Sequence, residues 1–411
     1  MKIAIYGSGG REHALVDSFV SSGHEVVAFP GNPGIAEIAE ISPGPFESID
    51  ADLYVIGPEA PLVDGIADRL RDLGKLVVGP GRAGAQLEGS KAWMKEILHS
   101  AGIPTASFQT FTDSKSAIEY LNSYPGPYVI KTDGLAAGKG VLVTTDRDEA
   151  IFDVTEKLSG HSFGSAGTKV VIEEAMEGPE ISVLVLCDGH KGFALPPASD
   201  FKRIHDNDLG PNTGGMGAFS PVPGVGTELI DQVISESIDP LIREFTRRGI
   251  DYRGILYAGL MLTSNGPKVV EFNIRFGDPE TQVVIPRIQN DLAQLLYELA
   301  QGELKTKPEV IDEAVVTVVL AAEGYPERPI PGAQISIDST SLGPDVRIYH
   351  AGTKVLSSGE LVVAGGRVLN VTATGKDLRA ARELAYKTIS SVQFQNMQYR
   401  SDIALRASEN G

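Results

Sequence analysis

One cysteine and one tryptophan occur among the 411 residues. A single thiol, Cys187, excludes an intrachain disulfide and any cysteine-built metal cluster. It sits in the apolar run ISVLVLC, where a small buried strand residue is the simplest reading. Cations are in deficit: 36 Lys and Arg face 54 Asp and Glu, a formal net charge of −18. That balance argues against nucleic acid as a partner. It leaves phosphate ligands open, because local glycine loops and a few placed cations can hold them on an acidic protein. No apolar run approaches the roughly 18–20 residues of a membrane span, so no membrane partner is expected. The opening MKIAIYGSGG has too short an apolar stretch for a secretory signal and reads as a first strand running into a glycine turn. A cytoplasmic setting fits these absences.

The chain is too long for one compact core, and two to four domains are expected. Over residues 1–100, short apolar runs (KIAIY, EVVAF, DLYVI, KLVVG) alternate with amphipathic stretches (REHALVDSFVSS, LVDGIADRLRDL). Strand–helix alternation predicts a mostly parallel sheet covered by helices, with ligands beyond the C-terminal strand ends. The Gly/Pro turns GSGG (7–10), PGNPG (30–34) and GPEAP (57–61) fall there. GSKAWMKEILHSAG reads as a helix. YVIKT, GVLVTT and KVVIEE with a helix at 148–158 then form a small α+β unit. Two strands follow, ISVLVLCDG and GFALPPASD, then a long aperiodic loop, DNDLGPNTGGMGAFSPVPG. Loops of that length are usually functional. Helices are predicted at 227–248 and about 280–302, strands at 254–263 and 267–274, and a mixed tail from about 312.

Four segments carry chemistry. GSGGREH places a glycine turn at a helix N-terminus, where free amides and the helix dipole favour phosphate. Glu12 stands where a dinucleotide fingerprint wants a third glycine, so a smaller phosphate ligand fits better than NAD. In YVIKTDGLAAGKGV, strand-borne Lys131 can reach a phosphate. Gly138, Lys139 and Gly140 belong to a loop whose amides can fold over a triphosphate; a P-loop does not fit, for want of spacing and hydroxyl. VVIEEAMEGPEIS stops an apolar strand at Glu173 and Glu174, with Glu180 seven residues after Glu173. Backbone there can meet an adenine edge and a carboxylate the ribose hydroxyls. KVVEFNIRFGDPETQ is the strongest signal. Strand alternation puts Glu271, Asn273 and Arg275 on one face and Phe272, Ile274 and Phe276 in the core. Two oxygen donors two residues apart suit Mg²⁺, and Arg275 beside them suits a transferring phosphoryl group. Such a polar row on a central strand is costly without ligands.

Together these segments resemble the ATP-grasp fold. GSGGREHAL, GPEAPLVDG, DGLAAGKGV, GPNTGGMGA, EFNIRFGDPETQ, HAGTK and GGRVLNVTATG, in order, resemble the glycinamide ribonucleotide synthetase family over essentially the whole chain. The resemblance implies an α/β multidomain chain. It has an N-terminal parallel α/β domain (1–90), an ATP-grasp domain (91–310) with a small α+β lid at about 108–176, and a mixed α+β C-terminal domain (311–411). It also implies Lys91 as a further ATP lysine, Mg²⁺ or Mn²⁺ on Glu271 and Asn273, and ATP, glycine and 5-phosphoribosylamine as substrates joined through a glycyl phosphate. Gly9 and Gly10 would take the ribose phosphate. Asp200, Lys202 and Arg203, by charge and position, are candidates for the amine and carboxylate ends, with Asp200, Lys139 and Arg275 as catalytic residues. A monomer or weak homodimer is expected. The chain departs from the family at Phe201, where His is common, and in GILYAGLML, which lacks an acidic metal ligand. His13 reads as a packing or capping residue and Trp93 as core. His350 fits either a site residue or a strand end.

Overall fold

The computed structural model describes residues 1–135, 140–160 and 169–410. The N-terminal sheet is parallel throughout, in the order Glu40–Ile41, Glu25–Pro30, Lys2–Gly7, Leu53–Ile56, Val77–Val78. Leu53–Ile56 is buried at every position, as a strand covered on both faces must be. Strand order reverses beside Lys2–Gly7. The crevice at that switch lies beyond its C-terminal end, between the turns at 7–10 and 57–61.

Residues 108–174 form a separate small unit. Its antiparallel sheet runs Phe108–Phe111, Val170–Glu174, Tyr128–Thr132, Val141–Thr144. The helices Ser114–Ser123 and Arg147–Leu158 belong to it, and helix residues Ala117, Leu121, Ala150 and Val154 pack in its core with Tyr128 and Ile130. The central antiparallel sheet orders Gly192–Ala194, Glu180–Cys187, Gly254–Thr263, Gly266–Asn273. The last sheet runs Ser199–Asp200, Gly217–Ser220, Ala314–Ala321, Arg367–Gly375, Val346–His350. Two of its strands therefore come from the chain before residue 311.

Several elements differ from the sequence reading. The helix expected over 62–73 is two pieces, Glu59–Val63 and Ile66–Asp72, broken where Gly65 turns left-handed at φ 84°. The helix at 227–248 carries a π turn, Ile234–Ile238. The helix at about 280–302 breaks at Pro286, whose missing N–H ends the first piece, and restarts at Leu292 under an Asp291 cap. The long loop is not structureless. It contributes Leu209–Asn212, which pairs back on Arg203–His205 as a hairpin, and the strand Gly217–Ser220. Among the described residues no helix is long and apolar enough to cross a membrane.

Candidate active site

The helix Lys91–Ala101 begins because Ser90 caps it, accepting from the Trp93 amide at 3.1 Å, and ends at left-handed Gly102. Asp133 ties this N-terminus to residues 108–174, accepting from Ser90 Oγ at 2.9 Å and the Ala92 amide at 3.1 Å. Lys91 Nζ donates to the Gly134 carbonyl at 3.2 Å. Lys95, one turn on, is on the same face and wholly buried.

Along Tyr128–Thr132, Tyr128 and Ile130 enter the small unit's own core, so Val129 and Lys131 face the central sheet. Lys131 Nζ lies 3.0 Å from Glu173 Oε2 and 3.3 Å from the Val270 carbonyl. Glu174 accepts from Ser107 Oγ at 3.0 Å and pairs with Lys268 at 3.3 Å. Gly140 accepts the Thr132 amide at 2.8 Å. Gly138 and Lys139 lie outside the described residues.

On the strand Gly266–Asn273 the expected alternation is interrupted: Val270 and Glu271 are both half-buried, and Phe272 and Asn273 are both buried. Phe272, Ile274 and Phe276 are buried hydrophobics. The strand stops at Asn273, so Arg275 sits in the bend after it. Gly259 pairs with Glu271 and Leu260 with Val269, leaving Val270 as the extra residue of a bulge that re-aims Glu271. Burial opposes ionisation of Glu271, yet Lys202, Lys131 and Lys91 hold its carboxyl below the ordinary value of 4.5. Asn273, two residues on, lowers it further.

Arg275 reaches two carboxylates: Nη2 lies 3.3 Å from Glu88 and Nε 3.4 Å from Glu59. Glu88 also accepts the Ile274 amide at 2.9 Å. Burial would lower the guanidinium's affinity for its proton, but Glu88 and Glu59 raise it, so Arg275 is a permanent cation. Lys202 pairs with Glu180 and lies 3.9 Å from Asp200. Burial raises the Asp200 pKa against the pull of Lys202, and Glu280, Glu180 and Glu271 push it the same way. Arg203 takes another direction and donates to the Gly210 carbonyl in its own hairpin at 2.6 Å.

At the N-terminal turn, the Gly9 amide donates to Glu12 Oε2 at 2.6 Å, and Arg11 Nε reaches Glu12 Oε1 at 2.5 Å. The helix's own third residue therefore occupies the anion position there. A Cβ on Gly10 would meet Asn370 Nδ2 at 2.3 Å, so glycine is needed for the C-terminal sheet to approach. His13 is buried. Its Nδ1 accepts the His350 amide at 2.9 Å, and burial with His350 nearby lowers its pKa to about 3. Trp93 stacks on Phe245 at 6.5 Å.

Several neighbours escaped the sequence reading. Tyr257 donates to Glu280 Oε1 at 2.6 Å, with Ser182 Oγ 2.8 Å from the Tyr257 hydroxyl. Arg367 donates to the Gly214 and Asp278 carbonyls, each at 2.6 Å, and pairs with the Asp278 carboxylate at 3.0 Å. Lys95 had a signal, its i,i+4 spacing from Lys91. Glu59 lies in the GPEAP turn and Arg367 in GGRVLNVTATG, segments already singled out, but nothing local assigns these side chains or Glu88 to the site.

This geometry can be set beside known proteins. The family models for the phosphoribosylglycinamide synthetase N domain, ATP-grasp (A) domain and C domain match residues 1–88, 89–281 and 315–406. A relative from Rhizobium meliloti (strain 1021), named phosphoribosylamine–glycine ligase, is 45% identical over 423 residues, covering 99% of each chain. A solved phosphoribosylamine–glycine ligase from Thermotoga maritima superposes with a TM-score of 0.87 at 35% identity, over 98% of this chain and 100% of that one. A biotin carboxylase from Campylobacter jejuni shares the fold alone, with a TM-score of 0.72 at 14% identity over 100% and 95% of the two chains. Three domain models in order and full-length identity at this level have one meaning: the chain belongs to the phosphoribosylglycinamide synthetase family.

Proposed function

We propose that the protein is a phosphoribosylamine–glycine ligase, which uses ATP to join glycine to 5-phosphoribosylamine. The products are glycinamide ribonucleotide, ADP and phosphate, made in purine biosynthesis. The observation that carries this reading is the end-to-end likeness to ligases of that name, which spans the nucleotide and the substrate segments alike. A carboxylate is a poor electrophile at neutral pH. Transfer of the ATP γ-phosphoryl group to glycine makes a glycyl phosphate with a good leaving group. The phosphoribosylamine nitrogen then attacks the acyl carbon, phosphate departs and the amine gives up a proton.

Phosphoryl transfer needs positioning and charge neutralisation more than covalent help. Lys91, Lys131 and Lys139 neutralise the triphosphate, and the amides of Gly138 and Gly140 are assigned to its oxygens. Glu173, Glu174 and Glu180 border the adenosine, with Glu180 on the ribose. Glu271 and Asn273 offer a carboxylate and an amide oxygen, the hard donors that Mg²⁺ or Mn²⁺ takes. Among the described residues no group of three or more acids, His or Cys surrounds a metal position. A two-donor site fits an ion that completes its shell with phosphate and water. When bound, that ion would neutralise phosphate charge. Asp200 attracts the glycine ammonium and Lys202 its carboxylate, and Arg275 faces the transferring group. Gly9 and Gly10 take the ribose phosphate, which requires Glu12 to yield the Gly9 amide. A monomer or weak homodimer in the cytoplasm fits the lone, buried Cys187 thiol.

The test is ADP release with single omission of glycine or of phosphoribosylamine. Release that depends on glycine, and glycinamide ribonucleotide formed only with both, supports the assignment. Turnover that persists without glycine overturns it.

A further inference from the structure

Lys95 has no part in the roles above, yet it is the most completely buried cation near the nucleotide segments. Its side chain is 0% exposed. Nζ lies 2.9 Å from Glu173 Oε2 and donates to Thr105 Oγ1 at 2.8 Å. The Thr105 hydroxyl in turn donates to the Val269 carbonyl at 2.6 Å, which fixes Lys95 against the strand that bears Glu271. Lys131 Nζ lies 3.0 Å from the same Glu173 oxygen. Two ammonium groups thus share one carboxylate oxygen, and the other oxygen, Oε1, is buried without a hydrogen-bond partner among the described residues. The trio carries a net single positive charge.

The two lysines are not equivalent. Lys131 also touches the Val270 carbonyl and sits on a strand of the 108–174 unit, whose sheet meets the central one here. Lys95 belongs to the helix of the main body and is held by Thr105. A buried carboxylate must keep a cationic partner or become very costly. With Lys95 present, Lys131 can leave Glu173 for a phosphate oxygen and the carboxylate stays paired. Without Lys95, Glu173 has Lys131 as its sole counter-ion among the described residues and competes with the nucleotide for it.

We propose that Lys95 is a positioning residue for ATP: it is the standing counter-ion of Glu173, and so releases Lys131 to the triphosphate. This rests on the reading of Lys131 as a phosphate ligand, and the experiment separates the two. ATP affinity is measured by calorimetry on folded wild type, K131M, K95M and K95Q, and on K95M in an E173Q background. K95Q keeps a hydrogen-bond donor toward Thr105 and Glu173 without the charge, and stands in if K95M folds poorly. K95M and K95Q are expected to weaken ATP binding about 10-fold or more, the scale of one charge-assisted hydrogen bond. The KM for glycine and kcat at saturating ATP should stay within about 3-fold. In the E173Q background, K95M should cost less than about 3-fold, because no carboxylate remains to capture Lys131. A purely structural Lys95 would lower thermal stability and leave ATP affinity unchanged, or change it equally in both backgrounds; either result overturns the proposal. If K131M itself binds ATP as wild type does, the reading of Lys131 falls as well.

Discussion

Replacing Glu271 by Gln tests the chemistry most directly, because it removes one charge and keeps the shape. In the fold the carboxylate stays ionised despite burial, held by Lys202, Lys131 and Lys91. E271Q therefore deletes a full negative charge at neutral pH. Removing one preorganised charged group from a reacting centre costs about 10²–10³ in kcat, or about 2.7–4 kcal/mol. The three lysines remain, so the site becomes one charge more positive and nucleotide affinity should hold or tighten. The expected signature is a split: single-turnover ADP formation falls about 100- to 1000-fold across a Mg²⁺ titration, and ATP binding does not weaken. A kcat within about 3-fold of wild type refutes the metal assignment. Stability gives a second handle. The folded pKa lies below 4.5, so ionised Glu271 stabilises the fold above about pH 4.5, and that contribution fades as pH falls through the lower folded value. The stability gap between wild type and E271Q should shrink over the same window.

His13 has the opposite protonation preference from a salt-bridged histidine: burial lowers its pKa from 6.5 to about 3, so folding favours the neutral ring. Its contribution is complete above about pH 6.5 and declines below it, by about 1.6 kcal/mol on going to pH 5; H13N, which keeps an acceptor for the His350 amide, should flatten denaturant-measured stability over that interval. Phe201 packs 6.1 Å from Phe219 with the Arg400 guanidinium 4.8 Å from its ring centre, so F201A should cost about 2 kcal/mol of stability in urea unfolding while ATP affinity is unchanged. R367M removes the clamp on the Gly214 and Asp278 carbonyls and should lower kcat/KM for phosphoribosylamine about 10- to 100-fold with ATP affinity within 2-fold, read in the coupled ADP assay.

What the sequence disclosed follows the range of the forces involved. Alternation is a local property, and it led the sequence reading to Glu271 and Asn273 beside buried Phe272 and Ile274 without any knowledge of the partner strands, though it could not show that the strand ends at Asn273. Caps such as Ser90 and stops such as Gly102 are equally local. The bulge at Val270 depends on how two strands register, and Pro286 breaks a helix that periodicity alone would continue. The carboxylates on Arg275 come from Glu59 and Glu88, roughly two hundred residues away, so Arg275 looked free in the sequence. The glycine turn at 7–10 looked like an open anion site for the same reason: only the folded helix shows Glu12 turned back onto the Gly9 amide.

Which part of the molecule can move follows from how the cores are divided. The N-terminal sheet and the central sheet share their hydrophobic clusters. Ala4, Tyr54 and Leu62 pack in one core with Val183, Leu256 and Phe272, and Ile3 and Val55 pack in another with Leu184 and Ile255. Separating those units would expose both cores, so the turn at 7–10 is fixed relative to Glu271 and Arg275. The 108–174 unit differs. Its core, with Phe111, Tyr128, Ile130, Val154 and Ile172, contains only its own residues. Its ties to the body are polar: Lys131 on the Val270 carbonyl, Glu174 on Lys268 and Ser107, Asp133 on the Lys91 helix, Lys91 on the Gly134 carbonyl, and the buried Lys95–Glu173 pair. Partly exposed polar contacts can be exchanged for water or for phosphate at little net cost, whereas buried apolar area and the buried charge of Glu173 cannot be left uncovered. A shift of this unit over a nucleotide would let Lys91 and Lys131 exchange their present partners for phosphate while Glu173 keeps Lys95.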